Sequence, residues 1–296
     1  MTIIQLRVLM ELKDLGNFTE VGERLGITQS AVSHALASFE KEIGLILFNR
    51  DRRGVVPTEA GHRILEHVRE ILLRVDRIQE EASSLSGLKI GKVRVGALQS
   101  AAIRMIPGIM GTMRQKFPGI EISVFEGTDQ EVLEWMKSDT VDLGILTAPC
   151  ASSLEVFPLI SDRMFGILPE NHPLGNRQSL SLDQLSLEPI IRSLGSCGTL
   201  VALGFSKAGL SPGLKTIEAR NISTVSAMVR SGAGSAILPG LAVPKDHTGI
   251  RVIPIDPPIL RQIVLAAPKF QALSPAAKVF VEHTREWVGK RFEDLG

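Results

Sequence analysis

The spacing of apolar residues changes period near residue 90, and that change limits what this chain can fold into. Up to residue 87 the apolar positions recur almost wholly at helical spacing. From 91 to 296 short β-like runs (92–98, 120–127, 141–146, 163–169, 189–193, 214–219, 235–240, 250–255 and 262–268) alternate with helical stretches at 101–116, 129–138, 198–209 and 223–232. Such alternation predicts parallel α/β sheets. The plan runs twice, once before about residue 160 and once after, so two similar lobes with a crevice between them are expected. The expected fold class is α/β, preceded by a helical N-terminal part, and 296 residues suffice for several domains.

Within the helical part, residues 26–44 read "GITQSAVSHALASFEKEIG". Val32, Leu36, Phe39 and Ile43 form one stripe, which predicts an amphipathic helix over 28–43 with that face in a core. A shorter helix, about Thr19 to Leu25, precedes it with Val21 and Leu25 turned inward. Gly26 suits a left-handed helix end, and Thr28 can cap the next helix. Helix, tight turn, helix is the helix-turn-helix plan. The polar end of the second helix carries Thr28, Gln29, Ser30, Ser33 and His34, where a solvated helix would carry Lys and Glu. Such side chains can hydrogen-bond base edges of double-stranded DNA. A merely solvated face would explain polarity, but not the absence of charge.

Two β-like runs then flank "NRDRRG", which predicts a hairpin wing with Arg50, Arg52 and Arg53 at its tip, placed for phosphates or the minor groove. A three-arginine loop alone is usually a solvated turn; beside a recognition helix it gains meaning. From Pro57, with Thr58 as N-cap, a long helix carries Ala60, Ile64, Val68, Ile71, Val75, Ile78 and Ala82 at near-heptad spacing. That stripe needs a partner, either this chain's own domains or a second copy, and two heads suit paired DNA half-sites, so a homodimer is expected.

Bulk charge does not carry the nucleic-acid argument: residues 1–87 hold 11 Lys and Arg against 13 Asp and Glu, and the whole chain has a net charge of +1. Two cysteines, Cys150 and Cys197, cannot build a disulfide framework or a cysteine-only metal site. Glu11, Lys13 and Asp14 interrupt the early apolar residues, so no signal peptide is expected. The longest apolar stretch, Ala236 to Pro244, falls short of the ~20 residues a membrane helix needs. A cytoplasmic protein with no membrane partner is expected.

The pieces "NFTEVGERLGITQSAVS", "FEKEIGLILFNR" and "PTEAG", followed by "VRVGA", "FPGIEISVFEG", "VDLGIL" and "SGAGSAILP", resemble the LysR-type transcriptional regulators over nearly the whole chain. The resemblance implies a winged helix-turn-helix over 1–58, a dimerising linker helix over 59–87, and a two-lobed, periplasmic-binding-protein-like effector domain over 88–296. Lobe I would comprise 88–160 and 264–296, and lobe II 161–263. It further implies a regulator rather than an enzyme, acting as a homodimer or homotetramer on DNA in response to a small molecule, with RNA polymerase a candidate further partner. Many members carry Ala-Ala where this chain has Val21-Gly22, Pro where it has Ser30 and Arg where it has His34.

In a two-lobed α/β domain, small ligands bind at the carboxyl ends of strands and the amino ends of the following helices. Gln99, Ser100 and Ala101, Thr128, Thr147, Arg192, Ser193, Cys197 and Asn221 occupy such places. By resemblance, Ser100 and Thr128 match effector-contacting positions. Taken singly, Ser100, Thr128 and Asn221 read equally well as helix caps. Helix amino ends favour an anion, with Arg104, Arg163, Arg192, Arg220 and Arg230 as candidate partners. Cys197 near a helix start also raises a redox-sensing alternative, since some family members sense peroxide with a cysteine pair in the second lobe. A third alternative is a two-lobed solute-binding protein or enzyme with a helical dimerisation module. No metal cluster, Walker loop or nucleophile elbow is present to favour it, His172 and Cys197 form no catalytic spacing, and no cofactor is expected.

Overall fold

Thr2 opens α1 (Ile3–Leu15) with a capping box to Gln5, and Gly16 ends it at φ 64°. This computed structural model describes residues 1–51, 54–85, 90–194, 196–211 and 216–291. Asn17 caps α2 (Phe18–Leu25), and α3 (Gln29–Ile43) follows a tight turn. The wing is β1 (Phe48–Asp51) against β2 (Gly54–Pro57), antiparallel from Phe48↔Pro57 to Asp51↔Gly54. Pro57 therefore closes the wing rather than opening the next helix, and α4 (Glu59–Leu85) starts beyond Thr58, whose hydroxyl accepts from Gly61 N at 2.9 Å.

Leu9, Leu12, Val21, Val32, Phe39 and Leu47 are almost fully buried in one core. Each such side chain contributes roughly 1.5–3 kcal/mol relative to exposure. α4 adds Leu65 and Val68 to that core, with Ile64 and Leu72 packed against it. The expected seam is therefore shorter than its spacing suggested: Val68 belongs to its own unit, while Ile71 and Ile78 are 41% and 69% exposed.

The chain divides into two compact units, Met1–Leu85 and Ser86–Gly296. In the second, β3 (Gly91–Leu98) leads into α5 (Gln99–Arg104), α6 (Ile106–Lys116), β4 (Ile120–Gly127), α7 (Asp129–Lys137) and β5 (Leu143–Thr147). Next come β6 (Glu155–Pro169), α8 (Leu182–Ser186), β7 (Ile190–Ser193), α9 (Ser196–Lys207), β8 (Thr216–Ala219), α10 (Ile222–Arg230) and β9 (Ser235–Pro239). β10 (Ile250–Pro254), β11 (Leu260–Ala267) and α11 (Pro275–Gly289) complete the described part.

The strands run in the order β4-β3-β5-β11-β6-β9-β7-β8, with β10 also on β6. β4, β3 and β5 are mutually parallel, as are β7 with β8 and β9, but β11, β6 and β10 make antiparallel pairs. The sheet is thus mixed, not purely parallel. The cause is β6, which is 15 residues long and passes from one lobe to the other: 155–163 pair with β11, and 164–169 with β9 and β10. In lobe I, α5, α6 and α11 share one core, with Ala101, Ile109 and Phe280, while Val132 and Met136 of α7 belong to a second one. In lobe II, Val201 and Phe205 of α9 and Val225 and Val229 of α10 fill separate cores.

Candidate DNA-reading helix and interlobe cleft

The helix-turn-helix is held by local bonds. Gly26 adopts φ 68° and ends α2. Ile27 N donates to Gly22 O at 2.9 Å, and Thr28 Oγ1 accepts from Ala31 N at 3.2 Å. A Cβ on Gly22 would lie 2.7 Å from Ile27 O, so any other residue there would require the turn backbone to shift. Val32, Leu36 and Phe39 pin one face of α3 to the core, which leaves Thr28, Gln29, Ser30 and His34 exposed and Ser33 half-buried. Thr28 Oγ1 and Ser30 Oγ lie 2.9 Å apart, so these two hydroxyls present a joined pair. Arg50 lies in β1; Arg52 and Arg53 fall outside the described residues.

Between the lobes lies a cleft lined by Gln99, Ser100, Thr128 and Asp129 on one side and Ser193, Leu194, Cys197 and Ile222 on the other. Its free space is about 30 Å³, room for a water or two. Five of the nine sequence-derived positions meet here: Gln99, Ser100, Thr128, Ser193 and Cys197. The other four do not line it. Ala101 is fully buried in the lobe I core. Thr147 N donates to Asp129 Oδ1 at 2.6 Å, and its hydroxyl is buried without a hydrogen-bond partner. Arg192 pairs at 3.4 Å with Glu218, its register neighbour on β8. Asn221 caps α10 through Ser223 N at 2.8 Å. Thr128 combines both roles, since its hydroxyl also serves the α7 capping box.

The cation at the cleft floor is one that sequence reasoning missed. Arg261, its side chain 1% exposed, sits at the start of β11. Its Nε and Nη2 donate to Asp162 Oδ2 at 2.9 and 2.6 Å, Nη2 also to Ser100 Oγ at 2.7 Å, and Nη1 to Cys197 Sγ at 3.0 Å. Asp162 Oδ1 accepts from Leu241 N at 3.2 Å. One guanidinium thus joins a lobe I hydroxyl, a lobe II thiol and the crossing strand β6. The signal was available: "ISDRM" and "LRQIV" each place charge inside an apolar strand run, and a buried charge requires a partner. Of the arginines proposed from sequence, Arg163 donates to Ile255 O and Arg230 to the carbonyls of Asp246 and Thr248, while Arg220 pairs with Glu131. Burial pushes the Cys197 thiol up, against the pull of Arg261, so it stays protonated at neutral pH, the reverse of what a reactive thiolate needs.

Residues 86–289 match the family description "LysR substrate binding domain", and residues 3–62 match "Bacterial regulatory helix-turn-helix protein, lysR family". The chain belongs to the LysR family of transcriptional regulators. It is 35% identical over 297 residues to the HTH-type transcriptional regulator YvbU of Bacillus subtilis, covering 98% of this chain and 99% of that protein. Full-length OxyR from Pseudomonas aeruginosa shares the fold at TM-score 0.75 and 21% identity, over 97% of this chain and 94% of that one. Full-length CbnR complexed with its target DNA does so at TM-score 0.72 and 20% identity, over 97% and 100%.

This LysR regulator is therefore a DNA-binding protein with a substrate-binding domain, in a family of transcriptional regulators rather than enzymes. Among the described residues, no helix is long and apolar enough to cross a membrane. Ser30 and His34 of α3 are both exposed. Gln29→Ala is expected to relax preference by ~1–3 kcal/mol at one position in each half-site. Competition binding with singly substituted sites checks this; a loss shared equally by all sequences would assign Gln29 to the phosphate backbone instead.

Proposed function

We propose that this regulator binds paired DNA half-sites in a sequence-specific way and that a small effector in the interlobe cleft sets its activity. Gln29, Ser30, Ser33 and His34, with Thr28 at the helix start, read base edges in the major groove, and Arg50, Arg52 and Arg53 of the wing lie on phosphates. Two copies join through the exposed part of the α4 stripe, Ile71 and Ile78. The observation that carries the effector reading is the convergence of Ser100 and Thr128 from lobe I with Ser193 and Cys197 from lobe II on one cleft floored by Arg261. That setting suits a small polar molecule with an oxyanion, which gives Arg261 a better acceptor than a thiol. The redox alternative is disfavoured by the raised Cys197 thiol.

Leu194 offers a clean block, because it lines the cleft yet is 45% exposed, so Leu194→Trp fills the cleft without overpacking a core. In cells carrying an operator–reporter fusion, the wild type is expected to change output across growth conditions. The variant should hold one level, with its range cut about ten-fold or more, while binding operator DNA with unchanged affinity. An output range equal to wild type would move the effector site elsewhere.

A further inference from the structure

The cleft is shut. About 30 Å³ is free in it, whereas pockets that hold small molecules run from roughly 300 Å³ upward. A ligand larger than a water or two fits against Ser100 and Cys197 only when the lobes separate, so whatever ties the lobes at the cleft controls admission. Arg261 ties them at the floor. A second tie stands beside it: Nη2 of Arg220 in lobe II donates to Oε1 of Glu131 in lobe I. Both residues neighbour the cleft wall, Glu131 one turn after Thr128 and Arg220 two residues before Ile222. They are also accessible, with side-chain exposures of 68% for Arg220 and 34% for Glu131, which puts the pair at the solvent side.

An exposed ion pair is usually weak, because two long side chains must be ordered to form it. Here one partner is ordered already. Glu131 Oε2 accepts from Thr128 N at 2.8 Å and from Thr128 Oγ1 at 3.0 Å, within the α7 capping box. That box holds the carboxylate in place and leaves Oε1 facing Arg220. The same bonds, the backbone one first, hold the Glu131 carboxyl below its ordinary range, so it is fully charged at neutral pH. Arg220 stands directly before Asn221, the N-cap of α10, so its backbone is fixed to lobe II.

We propose that Arg220 and Glu131 form a latch between the lobes, positioning residues that hold the cleft closed and so set how readily an effector is admitted. This rests on the cleft being the effector's site only for its biological meaning. The closure itself can be read without any effector, because Cys197 on the cleft wall is a built-in reporter. In a Cys150→Ser background Cys197, half-buried as the cleft stands, is the sole thiol, and the change in its rate of alkylation by iodoacetamide, followed by mass spectrometry, measures how far a variant opens the cleft.

Arg220→Ala and Glu131→Gln are each expected to speed alkylation roughly two- to five-fold at low salt. Gln preserves the capping box, so the second variant removes charge without freeing α7. Arg220→Lys, which keeps the charge, should stay close to the parent rate. Sodium chloride at 1 M should speed the parent but not Arg220→Ala. Thermal unfolding midpoints equal to the parent's will show that the variants are folded. Equal alkylation rates in the parent, Arg220→Ala and Glu131→Gln would overturn the latch, as would a Lys variant as fast as the Ala variant. Because the readout contains no effector, failure of the effector assignment would leave this result standing, and failure of the latch would leave that assignment untouched.

Discussion

Arg261→Met is expected to destabilise the C-terminal unit by ~3–5 kcal/mol, because it strips a buried carboxylate of its countercharge. The Asp162 side chain is 5% exposed and would keep one hydrogen bond, from Leu241 N. Met fills much of the volume of the lost stem, so the loss is mainly electrostatic rather than a cavity. A second change separates the two: Asp162→Asn in the Arg261→Met background removes the stranded charge and should recover a good part of the loss. Urea unfolding followed by circular dichroism checks both. A loss below ~1 kcal/mol would mean that water reaches the cleft floor and solvates Asp162.

Ile71→Asp is the second large effect, and it acts on assembly rather than on folding. In the isolated chain Ile71 is 41% exposed, so a carboxylate there costs the monomer little. In a seam formed with a second α4, an unpaired charge costs several kcal/mol. The expected result is dissociation by at least 100-fold in the association constant and loss of cooperative binding to paired half-sites. Val68→Asp should instead unfold the N-terminal unit, since Val68 is 2% exposed in that unit's core. Sedimentation velocity distinguishes the outcomes; an Ile71→Asp protein with an unchanged oligomer would place the interface off α4.

What the sequence revealed most clearly was what depends on neighbours close in the chain. The stripe of Val32, Leu36 and Phe39, the cap at Thr28 and the turn at Gly26 are local, and α3 has the length and face they predict. Each cleft helix was likewise foreseen near its place, because strand-to-helix turns carry their own capping residues, Thr128 and Asn221 among them. Arg261 was missed because its meaning comes from Asp162, 99 residues away, and from Ser100, 161 away. Arg192 and Arg220 looked like cleft cations for the same reason in reverse: Glu218 and Glu131, which engage them, are neighbours only in space. The antiparallel pairings of β6 escaped notice because strand direction is not encoded in apolar alternation. α11 escaped too, although Ser274 and Pro275 give its N-terminus a cap and a fixed first turn.

That α3 reads a defined sequence in paired half-sites is tested, without prior choice of an operator, by selection from a pool of random double-stranded DNA. Repeated binding, recovery and sequencing with the full-length protein at physiological salt should converge on two related half-sites centred one helical turn, or a whole multiple of it, apart. The same selection with Gln29→Ala should lose preference at one position in each half. A pool that stays random through successive rounds, while the protein still binds DNA in bulk, would contradict the claim and leave only backbone attraction.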